Sequence, residues 1–395
     1  MGIGSLASTR AGPLAKRLDW YLGIPLVALL GMLRRKRSRP DTIRRVGLLK
    51  TAGIGDAVLL TGPVQDLKRA FPGVELYLFL GDHNVQVAPL IPEGVTVVEL
   101  PVKKPIACAR ILRRFAIDLF LDFGPWPRIN ALYSLLARAR YRVGFATEGQ
   151  YRHYAYDLAV PHSFDVHELE NYRTVLRAVG VTPGQLPELS LPAGARAAIS
   201  NAQLNRSIIF HPWPAGAARL QRMWPQARWV ELGCMLRDQG FEIVLTGGAS
   251  DRKASMDLVS LLCRQECRAR SYAGALSLPE TAAVLWRARA VVSVDTGIMH
   301  IASALGARVV ALHGPSSPKR WGGTGPATIA VNATVPGSGY LNLGFEVPDD
   351  PPPCMESISA AAVHAALVEL LARDDVAPDT RRQSRLPLPR GAGRG

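Results

Sequence analysis

Val291-Val292-Ser293-Val294-Asp295-Thr296-Gly297-Ile298-Met299-His300-Ile301-Ala302-Ser303-Ala304-Leu305-Gly306 reads as a strand that runs directly into a helix, with polar groups at the junction. The apolar run Ala290 to Val294 suits a parallel strand covered on both faces. Asp295-Thr296-Gly297 supplies a turn, and a helix beginning there leaves unpaired backbone N–H groups at its positive end. Such a junction accepts a phosphate. Gly297 lets the backbone approach a ligand, Thr296 offers a hydroxyl, and Asp295 is an acceptor suited to sugar hydroxyls at the carboxyl edge of a sheet. Locally the same residues also fit a purely structural role, with Asp295 or Thr296 as an N-cap and His300 as a packed or capping histidine.

Outward from this stretch the pattern repeats. Ile43 to Lys50 reads as a first strand, Gly53-Ile54-Gly55-Asp56 as a tight turn, and Ala57 to Phe71 as an apolar segment with Pro63 near the start of its regular helical part, closed by Pro72-Gly73. Val74 to Leu80, Val95 to Leu100, Leu119 to Phe123 and Arg142 to Phe145 continue as strands. The stretch 182–205, rich in Pro, Gly and Ala, marks a domain boundary. A second series follows: strands at Ser207 to Phe210, Phe241 to Thr246, Ala290 to Val294 and Val309 to Leu312, with helices from Gln226 to Gln239 and Asp251 to Cys263. This alternation predicts an α/β chain with two parallel sheets, and so a cleft between their carboxyl edges. A last helix is expected over Ser359 to Arg373, placing it at 355–375, and a disordered basic tail over 376–395.

The chain has 395 residues, which suits two α/β domains, and a net charge of +15. That charge is unevenly spread. Residues 1–45 hold ten basic side chains against Asp19 and Asp41, and 376–395 hold five arginines against Asp379, leaving only +3 between them. So small a surplus on the body argues against a nucleic-acid partner. The five cysteines, at 108, 234, 263, 267 and 354, are odd in number and show no CxxC pairing, so neither a disulfide framework nor a zinc site is indicated, which suits a reducing cytoplasm. Trp20 to Leu33 is uncharged and apolar but too short to span a bilayer, and it ends in Arg34-Arg35-Lys36-Arg37-Ser38-Arg39 instead of a signal-peptide cleavage site. Residues 1–42 therefore read as a basic amphipathic extension lying on an anionic membrane surface, with 14–39 as the docking segment; packing on the body is the alternative.

A set of motifs in order carries a family resemblance over about residues 46 to 372. These are Lys50-Thr51-Ala52-Gly53-Ile54-Gly55-Asp56, Ala70-Phe71-Pro72-Gly73, His211-Pro212, Arg222-Met223-Trp224-Pro225, Asp295-Thr296-Gly297-Ile298-Met299-His300 with Ala304-Leu305-Gly306, His313-Gly314-Pro315, and Cys354-Met355. The chain resembles glycosyltransferase family 9, the heptosyltransferase-like enzymes of bacterial surface-polysaccharide assembly. The resemblance implies a GT-B fold, two Rossmann-like domains facing across a cleft: an acceptor domain at 43–190 and a nucleotide-sugar domain at 205–350, with the 355–375 helix packing back toward the first domain.

It further implies an inverting, metal-independent transfer of a heptose or related sugar from a nucleoside-diphosphate donor to a lipid-linked or lipopolysaccharide acceptor. No cofactor is implied beyond the nucleotide-sugar co-substrate, and the location is cytoplasmic, peripheral on the inner face of the bacterial inner membrane. By resemblance Asp56 is the catalytic base, shaped by the glycine turn Gly53 and Gly55; its local alternative is an N-cap. Asp295, Thr296, Gly297 and His300 fall at the donor. Arg222 stands where members commonly carry a phosphate-facing lysine, and its fork suits phosphate oxygens. Lys319, with Arg320, adds positive charge near the donor or covers the surface. The segment 211–218 lacks the hydroxyl residues that many members place before the basic residue, and 332–353 lacks their extra cysteines.

Two other readings compete. Gly53-Ile54-Gly55 after a first strand suggests a nicotinamide-dependent oxidoreductase, but the third glycine of that fingerprint would fall at Val58. A catalytically silent, membrane-attached glycan-binding protein of the same fold is the other.

Overall fold

The computed structural model describes residues 19–199, 203–216, 218–344 and 346–373; the start of the extension and the basic tail, expected to be disordered, lie outside them. The strands are β1 Arg45–Lys50, β2 Glu75–Gly81, β3 Thr96–Leu100, β4 Ile117–Asp122, β5 Ala139–Ala146, β6 Leu158–Pro161, β7 Ser207–His211, β8 Glu242–Leu245, β9 Ala269–Ser271, β10 Ala290–Val294, β11 Val309–His313 and β12 Thr328–Asn332. They form two six-stranded sheets, ordered β3-β2-β1-β4-β5-β6 and β12-β11-β10-β7-β8-β9. Every pairing is parallel.

Counted from its own first strand, each sheet has the same doubly wound order. The order reverses between β1 and β4 in the first sheet and between β7 and β10 in the second. Ligands of such sheets bind outside the carboxyl ends of the strands at that reversal. Thus β10, which carries the opening stretch, and β1, which leads to Asp56, both end at a switch point.

The helices are α1 Ile24–Met32, α2 Ile54–Leu59, α3 Thr61–Ala70, α4 Pro105–Arg113, α5 Arg128–Leu136, α6 Glu168–Ala178, α7 Ala193–Ala198, α8 Gln226–Asp238, α9 Arg252–Arg264, α10 Leu278–Arg287, α11 Gly297–Ala304, α12 Pro318–Trp321 and α13 Ala360–Ala372. Central strands β7, β10 and β11 are buried at every residue, because helices cover both faces of the sheet. Edge strands β9 and β12 are only partly covered, so their sequences lack the continuous apolar run that marks the others.

One local expectation needs correction. The glycine turn does not run through Asp56: Gly53 takes the N-cap position at φ 86°, and Ile54, Gly55 and Asp56 already form the first turn of α2. The segment Ala57 to Phe71 is divided between α2 and α3, and the regular helix starts at Thr61, close to Pro63 as expected. Pro63 has no N–H to give the Leu59 carbonyl, so the ladder is interrupted there, and the Thr61 hydroxyl donates to the Val58 carbonyl at 2.8 Å.

The C-terminal helix is a second correction. Among the described residues α13 packs on α8, β11 and β12 of the second sheet, whereas the resemblance implies packing back toward the first domain. Its inward residues Val363, Leu367 and Leu370 share a buried cluster with Trp224, Trp229 and Leu236. The lead-in residues Met355 and Ile358 are buried in the same cluster, and Trp224 Nε1 donates to the Ile358 carbonyl at 2.9 Å, which commits the helix to this side.

Candidate functional site

The two carboxyl edges meet where α2 packs on α11. Glycine makes that contact possible. A Cβ at Gly297 would come 2.8 Å from Ile54 Cβ, and one at Gly55 would come 2.5 Å from the His300 ring, so a side chain at either position forces the halves apart. The motif at the end of β1 and the motif at the end of β10 are therefore brought together face to face.

On the first-domain side, Asp56 is the third residue of α2, an uncapped position where a carboxylate suits the positive helix end. Its Oδ1 lies 2.8 Å from Lys50 Nζ and accepts from the Tyr172 hydroxyl at 3.0 Å. Lys50 also donates to the Phe123 carbonyl at 3.2 Å and sits 5.4 Å from the centre of the Tyr172 ring. Both partners are buried, and Tyr172 is held in its neutral form because burial, then the neighbouring Asp56 charge, raises its pKa. Oδ1 is thus occupied twice, while Oδ2 curls over Gly53, where any Cβ would overlap it. A carboxylate pinned through one oxygen can offer the other as a base. Asn84 holds the strand-to-helix turn beneath, donating to the Lys50 carbonyl at 3.0 Å and the Gly53 carbonyl at 3.3 Å.

The second domain offers different chemistry. Thr296 is the N-cap of α11, its hydroxyl accepting from Ile298 N–H at 3.2 Å, so the local structural role is real. Arg222 NH1 donates to the Asp295 carbonyl at 2.9 Å, and NH2 to the Ala215 carbonyl, which anchors the guanidinium beside the turn. His300 is buried, and its Nδ1 has no hydrogen-bond partner among the described residues. Burial lowers its pKa to about 4, against the opposing pull of Asp295 and Asp56, so the ring is neutral at pH 7. His211, at the end of β7, is likewise lowered to about 4 by burial and shares a 3.0 Å hydrogen bond with Thr246. His313, at the end of β11, is lowered for the same reason.

Lys319 is exposed on α12, whereas its neighbour Arg320 is buried. Arg320 pairs with Glu168 of α6 at 2.8 Å and donates to the Val166 carbonyl at 3.0 Å, while His167 meets the Gly322 carbonyl at 2.9 Å. Arg320 is therefore committed to joining the domains. Burial raises the Glu168 carboxyl, but its hydrogen bond to His162 and the charges of His162, Arg320 and Lys50 outweigh it and hold the pKa at about 2.

Sequence reasoning missed Tyr172, Glu168, Asn84 and the pairing of Lys50 with Asp56. Only Lys50 had a signal, its place in the glycine motif; the others come from elements distant in the chain. Among the described residues, no three His, Cys, Asp or Glu side chains are grouped as a metal site requires.

Comparisons with known proteins agree with this architecture. Residues 110–339 match the sequence profile of glycosyltransferase family 9 (heptosyltransferase). The chain is 26% identical to lipopolysaccharide heptosyltransferase 1 of Pseudomonas aeruginosa over 379 residues, covering 86% of this chain and 100% of that protein. With lipopolysaccharide heptosyltransferase 2 of Escherichia coli it is 37% identical over 98 residues, a match spanning only 25% of this chain and 28% of the relative. The solved Escherichia coli ADP-heptose lps heptosyltransferase II has the same fold, with a TM-score of 0.69 at 20% identity over 84% of this chain and 100% of that one. With the profile matched across more than half its length and the two facing Rossmann-like sheets of a GT-B protein, the chain belongs to glycosyltransferase family 9, the heptosyltransferases.

Proposed function

We propose that the protein transfers a heptose or closely related sugar from a nucleoside-diphosphate donor to a lipid-linked or lipopolysaccharide acceptor, by a single inverting displacement without a metal ion. The observation that carries this reading is the apposition of Asp56, pinned at Oδ1 by Lys50 and Tyr172, to the N-terminus of α11 with Arg222 anchored beside it. Asp56 Oδ2 takes the proton from the acceptor hydroxyl, the resulting oxygen attacks the anomeric carbon from the far side, and the sugar–phosphate bond breaks. The departing diphosphate is stabilised by the backbone N–H groups of α11 and by the Arg222 guanidinium. The unpaired, neutral His300 Nδ1 offers a further hydrogen bond to a ligand there.

The related proteins support the donor class, since the E. coli neighbour is an ADP-heptose lps heptosyltransferase. Lysine commonly fills the phosphate-facing position, and arginine supplies the same charge with a bidentate fork. Because the acceptor would be lipid-linked, the site of action is the inner face of the bacterial inner membrane. The test is to incubate the purified protein with a panel of nucleoside-diphosphate sugars, ADP-heptose included, and measure binding and release of the nucleoside diphosphate with and without a lipid A-core acceptor. Acceptor-stimulated release of ADP is the expected result, and it should persist in chelator. Glycan binding with no turnover of any donor would establish the silent glycan-binding alternative instead.

A further inference from the structure

We infer that α1 and the residues around it form a preassembled docking face for an anionic lipid bilayer, rigidly joined to the first domain. The sequence left membrane docking and packing on the body as alternatives. In the fold one side of the segment packs on the body and leaves the opposite side open for docking.

One side is anchored at three places. Gly31 lies flat on the Tyr154 carbonyl, where any Cβ would overlap it, and Val27 is fully buried against Ala131, Ala155 and Tyr156. At one end the Trp20 ring lies 5.1 Å from the Arg128 guanidinium at the start of α5. At the other, Arg34 pairs with buried Asp157 at 2.8 Å, just ahead of β6.

The other side is bare and equally apolar. Leu22 is 63% exposed, Leu26 43%, Leu29 54% and Leu33 75%, and their spacing of four, three and four residues puts them along one ridge of the segment, with exposed Tyr21 and Met32 beside it. A helix apolar all round is ordinarily covered all round, and here one face is left open. Among the described residues no helix is long and apolar enough to cross a membrane, so the ridge lies in the plane of the surface it meets. The charges beside it choose the occupant. Arg35, Lys36, Arg37 and Arg39 follow the ridge directly and are all exposed. Such a rim repels a second copy of a chain whose net charge is +15 and attracts anionic headgroups.

The anchors give the docking a direction. The Trp20 end lies on α5, which follows Phe123, the residue whose carbonyl receives Lys50 of the site. The ridge therefore begins near the carboxyl edge that carries Asp56 and ends at the amino edge. Docking would hold the acceptor side of the site at a set attitude to the bilayer. This deepens the reading of a membrane-held acceptor, yet its test is a binding measurement independent of turnover.

The experiment is flotation of the full-length protein with phosphatidylcholine vesicles and with vesicles containing phosphatidylglycerol. Two variants accompany it, the ridge triple L22Q/L29Q/L33Q and the rim triple R35Q/K36Q/R37Q, each altering exposed side chains only. Wild type should float with the anionic vesicles and be released by salt. Each variant should bind them more than about tenfold more weakly, while donor turnover with a water-soluble acceptor analogue stays at the wild-type level. The inference is overturned if wild type does not float, if the ridge variant floats as well as wild type, or if light scattering finds a wild-type dimer that the ridge substitutions dissociate.

Discussion

The two sheets have the same strand order and the same kind of switch point, yet the chemistry at their carboxyl edges is opposite. The first presents ionised side chains that restrain one another: Lys50 on Asp56, with Tyr172 on the same oxygen. The second presents backbone N–H groups, an anchored arginine and histidines kept neutral by burial. If Asp56 is the base, as proposed, it must remain charged and aimed before its substrate arrives, and its partners are built in. On the same reading a pocket for a diphosphate needs hydrogen-bond donors at hand, and the α11 N-terminus and Arg222 supply them. Topology supplied both positions, and the residues at the strand ends made them different.

The sharpest way to break this comparison is at the base. Asp56→Ala should lower acceptor-dependent turnover by about 10²–10⁴, with donor binding by calorimetry nearly unchanged. Wild-type turnover in that variant would leave Asp56 as a helix-end residue and nothing more. Gly53→Ala should also impair turnover, because its Cβ meets Asp56 Oδ2 and the residue must hold φ 86°.

The neutral histidines make a prediction about stability. Each has a folded pKa below its unfolded value of 6.5, so the unfolded chain binds more protons between the two. Stability is then complete above pH 6.5 and falls as pH drops through the window toward 4. His211 and His300 should each contribute a loss on the order of 3 kcal/mol by pH 4. Denaturant unfolding at pH 7, 6 and 5, above most carboxylate titrations, reads the onset; a flat profile over that range would mean the rings are solvated. Glu168, held at about 2, adds its own loss only below the ordinary glutamate value of 4.5.

Arg222→Ala tests the second edge alone. It should weaken nucleoside-diphosphate binding by about 1.5–3 kcal/mol and leave the free nucleoside little changed. Equal losses for the two ligands would remove Arg222 from the phosphates. The smallest effect belongs to Tyr172→Phe, which frees one of the two bonds to Oδ1. It should reduce kcat by roughly the 0.5–1.5 kcal/mol of one hydrogen bond, with KM for donor unchanged. A change in donor KM instead would mean that Tyr172 acts through the packing of the two domains.

Several features could be read before any fold was known. The strand Ala290–Val294 was delimited to the residue, because a fully buried parallel strand is an unbroken apolar run bounded by polar punctuation. Asp56, Arg222 and the Asp295-Thr296-Gly297 turn stood out through an ordered set of motifs. Strands β6, β9 and β12 escaped notice: short, partly covered strands have no such run, and tertiary packing sets their ends. The destination of α13 was equally hidden, since an apolar helix face says that it is buried but not against what.

The amino-acid sequence by itself determined the α/β alternation, the two halves, and the residue types at the ends of β1 and β10, because each depends on local periodicity and turn chemistry. Only the tertiary structure decided which of those residues meet. Lys50 and Tyr172 are 122 positions apart, Gly55 and His300 twice that, and no local rule links them. Gly55 meets His300 because two parallel sheets bring their carboxyl edges together over glycines, and Lys50 meets Tyr172 because α6 packs on the first sheet; a paired or dehydrated charge is a property of such enclosure.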